Sequence, residues 1–570
     1  MARIAIDPIT RIEGHLRIEA TVEGGKVVDA WSAGTMFRGI EIVLKDRDPR
    51  DAWLFCQRIC GVCTMVHALA SVRAVENALE ITVPDNARIM RNIITAIQFI
   101  QDHVIHFYHL HGLDWIDIVS ALKADPAKTA SVAQSISDWP NSGTALFASV
   151  QKRVKGLVDS GQLGPFANAY WGHPAYKLPP EVNLLGVAHY LQALEWQREV
   201  AKVHALLGSK NPHLQTYLVG GIAKAVDPNS QNALNADGIA LMDQAAKRAI
   251  KFVGKVYLPD LLAIASYYSE WAGYGAGVGN YLTYGEFPND NRSNSDNLLL
   301  PRGIITAREL GKVQPVDQQK ITEYVTHSWY DYAEGDQKGK HPWDGETAPH
   351  YSGPKPPYEF LNTDAKYSWL KTPRYTDAPM EVGPLARVLV AYASGQKRTK
   401  ELVDATLAKL KVGPGALFST LGRVAARGIE TLVIAEAIPG WIEELATNMT
   451  KKGDLRIHEG EKWEPDTWPA EAKGFGLHDA PRGALGHWVT IANGKIANYQ
   501  AVVPSTWNLS PRDGKGIRGP VESALLGTPI ADPKQPLEIL RTVHSFDPCM
   551  ACAVHVVDTR GRTVATHEGA

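Results

Sequence analysis

Two stretches decide how this chain must fold: Arg58-Ile59-Cys60-Gly61-Val62-Cys63 with His67 just beyond, and Asp547-Pro548-Cys549-Met550-Ala551-Cys552 with His555 just beyond. Together they hold four of the five cysteines in 570 residues; the fifth is Cys56. Two C-x-x-C pairs at opposite ends of a chain act together only if the fold joins them as one four-thiolate metal site. The ends of the chain must therefore meet in its interior. If a helix begins near Cys60, then Cys60, Cys63 and His67 share one face. A helix N-terminus would also favour the metal-binding thiolates. At this level a structural zinc site, with four cysteines or three cysteines and a histidine, stays open. No βαβ pattern surrounds either pair, which argues against a thioredoxin-type dithiol, and neither cluster has the C-x-x-C-H of attached haem.

The bulk properties exclude several function classes. A formal net charge of −2 gives no reason to expect nucleic acid or an anionic membrane as partner. No run of about 18 apolar residues is present, so the chain does not span a bilayer alone. The start, MARIAIDPITRIEGH, lacks the features of a secretory signal, so export would depend on another protein. Clustered rather than dispersed cysteines favour metal or redox chemistry over disulfide stapling.

The pattern along the chain predicts an α+β fold, predominantly helical, with a central bundle of long helices and peripheral β-hairpins at both ends. Residues 1–50 read as a β region, with strands over 15–22 and 26–31 joined at Gly24-Gly25. Residues 51–272 read as a helical bundle carrying the first cysteine pair. In it Ile89, Ile93, Ile97, Ile100, Val104 and Phe107 recur at helical spacing up to Gly112, a rod of roughly 40 Å. Other long helices are predicted near 180–207, 237–271, 382–410 and 416–450. Residues 273–380 read as an ordered, loop-rich cover and 381–452 as helical. Residues 453–555 read as a β/loop region with the second pair, including a type I′ hairpin at Asn493-Gly494. The whole, 1–570, reads as one intertwined globule. His103, His106, His109 and His111 drift around their helix and are assigned to packing and interface roles. Gly275, Gly277 and Gly279 follow a helix rather than a strand and read as a turn.

The two cysteine stretches resemble the signature motifs of the large subunit of nickel–iron hydrogenases. Further matches run in order along the chain: Arg11-Ile12-Glu13-Gly14-His15, Phe37-Arg38-Gly39-Ile40-Glu41, His478-Asp479-Ala480-Pro481-Arg482-Gly483 and Val503-Pro504-Ser505-Thr506-Trp507-Asn508. The style is similar to that of membrane-associated, periplasm-facing uptake enzymes of the hydrogenase-2 type. The resemblance implies nickel held by Cys60, Cys63, Cys549 and Cys552, with Cys63 and Cys552 bridging to an iron that carries CO and two CN ligands. Soft thiolates suit such metals, and heterolytic H2 cleavage also needs a base for the proton.

By the same resemblance Glu13 takes a proton from Cys549, and Arg482 lies over the metals, oriented by Asp102 and Asp547. Pro481 and Ser505 line or hydrogen-bond the cyanide pockets, and His67 hydrogen-bonds a cysteine sulfur. Glu41, the carbonyl of Ala501 and His555 would bind Mg. Residues 556–570 match a propeptide removed by a maturation endopeptidase once nickel-insertion proteins have acted. Cys56 lies outside the motif and reads as a small core residue.

With four cysteines committed, one thiol is left, too few for an iron–sulfur cluster. Iron–sulfur clusters are thus expected only in a partner, the small subunit. That subunit would bring the export signal and pass electrons to a membrane cytochrome or quinone-linked subunit on the periplasmic side. Alternatives are a cytoplasmic H2 sensor or cofactor-reducing hydrogenase, the related quinone-site subunit of respiratory complex I, and a non-catalytic zinc scaffold.

Overall fold

The computed structural model describes residues 2–167 and 169–553. The expectations for His555 and for 556–570 lie outside the described residues.

The chain opens with a three-stranded antiparallel sheet, Ala2–Ile6, Leu16–Glu23 and Lys26–Gly34, paired in sequence order. Gly24 and Gly25 make the tight turn with φ of 57° and 73°, open to glycine at little cost. Leu16, Ile18, Ala20 and Val22 alternate onto one face and pack against Leu525, Ile539, Leu540, Val543 and Phe546. Those partners come from the last hundred residues, so the first sheet is sealed by the chain's other end.

The centre is helical. Asp85–Ile105 starts after Pro84 and carries Asp85 in its first turn, where the helix dipole favours a carboxylate. Its Ile89, Ile93, Ile97 and Ile100 are almost wholly buried. It packs against the 28-residue helix Thr420–Thr447. Beyond Ile105 it widens into a π-type segment, His106–His111, and stops at Gly112. A Cβ at Gly112 would sit 2.5 Å from the Phe107 carbonyl oxygen, so only glycine closes the helix there. The four histidines point different ways, to Glu430 and to the carbonyls of His544, Tyr190 and Arg541. These bonds within the chain fit the packing part of the expectation. Gly275, Gly277 and Gly279 all have positive φ and form the expected turn.

The cover over 273–380 consists of short strand pairs around buried aromatics such as Trp329 and Tyr367. The hairpin turn at Asn493-Gly494 has φ of 51° and 74° and joins strands Gly483–Ala492 and Lys495–Val502.

Four expectations are corrected. The first cysteine pair is not on a helix: the helix begins at Val66, and residues 58–65 turn so that both sulfurs reach one point. Residues 382–410 form two helices, Pro384–Ala393 and Lys397–Leu410, broken at Gly395 with φ 74°. The C-terminal sheet is not peripheral. Its strand Glu471–Ala480 lies directly on helix Val66–Ala78, where a Cβ at Gly476 would be 2.1 Å from the Ala70 carbonyl oxygen. Finally, the end of the 453–555 region is helical, in Pro520–Leu525, Leu537–Ser545 and Met550–Ala553.

Candidate active site

The main chain itself brings the two ends together. Glu13 sits in the loop before strand Leu16–Glu23 and pairs with Cys549 in a parallel bridge. Glu13 N–H donates to the Pro548 carbonyl at 3.3 Å, and Met550 N–H donates to the Glu13 carbonyl at 2.8 Å. Gly14 makes this approach possible: its φ is 80°, and a Cβ there would fall 2.8 Å from both Ala551 N and Met550 Cβ. Arg38 ties the two cysteine loops to each other, donating to the carbonyls of Ile59 and of Ala551. A Gly14→Ala variant is expected to prise the loops apart and lose retained metal, which metal analysis after gel filtration would show. Full metal retention would mean that the backbone pairing is dispensable.

Cys60, Cys63, Cys549 and Cys552 are buried free thiols whose sulfurs all lie within 4.8 Å of one another. The Sγ separations are 3.0 Å for Cys63–Cys552 and Cys549–Cys552, 3.5 Å for Cys60–Cys549 and 3.9 Å for Cys63–Cys549. Thiolate–metal bonds of ~2.3 Å in a tetrahedral set put sulfurs roughly 3.7 Å apart, so the cluster is near a size that holds a metal. Its electrostatics call for a cation. Hydrogen bonds from Cys549 and the other two thiols push Cys60 well below the ordinary thiol range. Burial pushes Cys549 and Cys552 well above it. Four thiolates in so dry a site cannot coexist unless metal charge replaces the protons.

Glu13 turns its carboxylate onto this cluster. Its Oε2 stands 3.3 Å from Cys549 Sγ and accepts the Ala551 N–H at 2.7 Å. Burial, then repulsion by Cys60, raises its pKa above the ordinary glutamate value. Arg482 follows the end of strand Glu471–Ala480 and is wedged between two carboxylates. It donates to Asp102 Oδ2 at 3.2 Å and to Asp547 Oδ1 at 3.0 Å. Burial lifts Asp102 to about 7 against the pull of Arg482. Behind the sulfurs is a small cavity of about 10 Å³, bounded by Arg482, His67, Ser505 and the apolar Leu485, Val503 and Pro504. Ser505 Oγ accepts the Cys549 N–H at 2.9 Å. The Pro481 carbonyl accepts from Arg387 at 2.8 Å. His67 Nδ1 is 3.0 Å from His487 Nε2.

Of the three expected Mg ligands, two come together: Glu41 Oε1 accepts the Ala501 N–H at 3.0 Å. Glu41 Oε2 accepts from Thr347. Lys371, Glu323 and Gln500 adjoin the pair, with Lys371 Nζ donating to Gln500 at 2.9 Å.

Sequence reasoning passed over the supports. Arg387 donates to both oxygens of Glu430, at 2.8 and 2.6 Å, and to Asp479. It also donates to the carbonyls of Ala480 and Pro481 and so fixes the approach to Arg482. Asp479 and Arg38 lie inside matched motifs and were in reach of the sequence reading. Arg387 and Glu430 sit mid-helix with no local signal.

Comparison with known proteins supplies the decisive observation: a model of the nickel-dependent hydrogenases matches residues 38–555. The chain belongs to the nickel-dependent hydrogenase family. A second, HoxL-like model matches residues 3–32. The chain is 50% identical over 579 residues to an uptake hydrogenase large subunit of Rhizobium leguminosarum bv. viciae, covering 99% of this chain and 96% of the relative. It is 49% identical over 574 residues to the hydrogenase-1 large chain of Escherichia coli K12, covering 98% and 96%. The crystal structure of a reduced, active Ni-Fe-Se hydrogenase from Desulfomicrobium baculatum aligns with a TM-score of 0.77 at 35% identity, covering 97% of this chain and all of that one. The enteric relative carries the hydrogenase-1 name where the sequence style had pointed to the hydrogenase-2 type. As a hydrogenase large subunit the chain is an H2 oxidoreductase. The buried four-thiol cluster fits the nickel and iron of that family.

Proposed function

We propose that this hydrogenase subunit oxidises H2 heterolytically as an uptake enzyme, at a nickel–iron centre held by the four cysteines. Cys60, Cys63, Cys549 and Cys552 would hold the metals, Cys60 and Cys549 as terminal ligands and Cys63 and Cys552 as shared ones. When bound, the metals supply an electron sink that polarises H2. The protein residues handle everything else.

Glu13 accepts a proton from the Cys549 sulfur. Its raised pKa brings a carboxylate toward the range in which it both takes and releases a proton. Asp102 and Asp547 hold the Arg482 guanidinium over the open side of the centre, where a fixed cation stabilises developing negative charge. Leu485, Val503 and Pro504 line the cavity beside the cysteines and would keep water from an iron carrying CO and CN there. Ser505 uses a lone pair on the Cys549 N–H, which leaves its hydroxyl hydrogen free to donate to a cyanide ligand once iron is bound. Glu41 and the Ala501 carbonyl would supply oxygen donors to Mg, a hard ion, with His555 joining them as the family resemblance implies.

The one remaining thiol, Cys56, means that electrons leave through an iron–sulfur small subunit and on to a membrane cytochrome or quinone. No helix among the described residues is long and apolar enough to cross a membrane. In this reading the subunit travels with its partner to the periplasmic side of the membrane after processing of 556–570.

The observation that carries the reading is the Glu13 carboxylate 3.3 Å from one of four clustered, buried thiols. Metal analysis and infrared spectroscopy of the purified heterodimer test it. Nickel, iron and bands of metal-bound CO and CN are expected. Zinc with no such bands would replace this reading by the scaffold alternative.

A further inference from the structure

Behind His67, on the side away from the sulfurs, a file of buried polar groups runs into the core. His67 Nδ1 lies 3.0 Å from His487 Nε2. His487 Nδ1 lies 2.6 Å from the Tyr499 hydroxyl. The Cys56 thiol donates to that hydroxyl at 3.4 Å. The file draws on helix Ala52–Gln57, two neighbouring strands of the C-terminal sheet and helix Val66–Ala78. All four residues are almost wholly buried.

Each contact has a direction. The Tyr499 hydroxyl lies within hydrogen-bond reach of His487 Nδ1 and already accepts from Cys56, so its own hydrogen is left for His487 Nδ1. Tyr499 therefore gives its proton to His487 Nδ1 and accepts from Cys56. A neutral imidazole that accepts at Nδ1 carries its hydrogen on Nε2. His487 then donates to His67 Nδ1, and His67 in turn carries its hydrogen on Nε2. Its ring borders the cavity beside Cys63 and Cys552. Every link runs the same way, from the core toward the thiolates. Burial supports the protonation states assumed. It holds His487 down to about 3 and so neutral, raises Tyr499 well above its ordinary value, and raises Cys56 to about 12.

We propose that Cys56, Tyr499 and His487 form a one-way hydrogen-bonded chain that fixes His67 as an Nε2–H donor at the thiolate-lined cavity. Tyr499 and His487 are thereby positioning residues, and Cys56 is the far end of the chain rather than inert filling. The electronic consequence rests on the nickel–iron reading above. His67 borders the same cavity as Cys63 and Cys552; a donor that reaches a ligating sulfur there withdraws electron density from it, and hydrogen bonds to ligating sulfurs tune the metals they hold.

Two measurements test the chain. Neutron diffraction from crystals of the perdeuterated wild-type complex locates the hydrogens directly, whatever metal the site holds. Deuterium on Nε2 of both His487 and His67 is expected; deuterium on Nδ1 of either ring would overturn the proposal. The second is the infrared spectrum of the matured Tyr499→Phe heterodimer. Without the hydroxyl the tautomers are no longer fixed and the thiolates become richer in electrons. The CO and CN bands should move to lower wavenumber with nickel and iron contents unchanged. Bands superimposed on those of the fully loaded wild type would also overturn it. If Tyr499→Phe does not mature, the neutron map alone decides. Absence of CO and CN bands in the wild type would refute the nickel–iron reading and leave the tautomer assignment to stand or fall on neutrons.

Discussion

Replacing Glu13 by Gln is expected to slow H/D exchange by roughly 10²–10⁴-fold, the usual contribution of a positioned acid–base group, while nickel and iron remain bound. The substitution is nearly isosteric. The side-chain oxygen still accepts the Ala551 N–H, and the main-chain pairing of residue 13 with Pro548 and Met550 does not involve the side chain. The site therefore keeps its shape and loses only a group that can hold a proton. Isotope exchange with D2, followed by mass spectrometry and paired with metal analysis, separates the two effects. Exchange at the wild-type rate would remove Glu13 from the proton path.

Arg387→Met is the second large effect, and it acts on stability. The guanidinium is fully enclosed and serves two carboxylates at once, Glu430 and Asp479. Removing it strands two negative charges in the core, where breaking one buried pair costs about 3–5 kcal/mol. Chemical denaturation of the purified heterodimer would show a fall of that order; a loss under about 1 kcal/mol, typical of surface pairs, would contradict it. The pH dependence has a definite sign. Arg387 and His103 hold Glu430 down to about 2 from an ordinary value near 4.5, against the opposing effect of burial. The stabilisation is therefore complete above about pH 4.5 and drains away as pH falls toward 2. In the variant this acid-dependent loss should shrink, because Glu430 without its main partner is no longer held well below its ordinary value. Arg482 should also lose alignment, since Arg387 holds the Ala480 and Pro481 carbonyls just before it.

What was legible in the sequence was local or strongly periodic. The Gly24-Gly25 and Asn493-Gly494 turns announce positive φ through residue type alone, and Ile89 to Val104 repeat at helical spacing. The cysteine pairs were legible because thiols are scarce, so any shared purpose had to unite them. The helix start was misplaced because periodicity is blind to the demand that Cys60 and Cys63 converge. Meeting it requires residues 58–65 to turn before the helix can begin at Val66. The terminal helices Pro520–Leu525 and Leu537–Ser545 are short segments between turns, stabilised by the N-terminal sheet they cover rather than by their own propensity. Arg387 and the His67–Tyr499 file escaped because they join separate elements, and although Arg38 lies inside a matched motif, its clamp role was hidden for the same reason. Arg38 reaches Ala551 across 513 residues, and no window along the chain contains both partners.

The bridge between Glu13 and Cys549 also sets a timetable. The sulfurs of Cys60 and Cys549 meet although they stand 489 positions apart. At roughly 5–20 residues per second, a ribosome takes roughly 25–100 s to pass from one to the other. During that interval the first two thiols, the carboxylate of Glu13 and the clamp of Arg38 exist without the residues they are built to meet. The four-thiol cluster thus cannot close until the residues around Cys549 have been made, when the loop of Glu13 can receive helix Met550–Ala553.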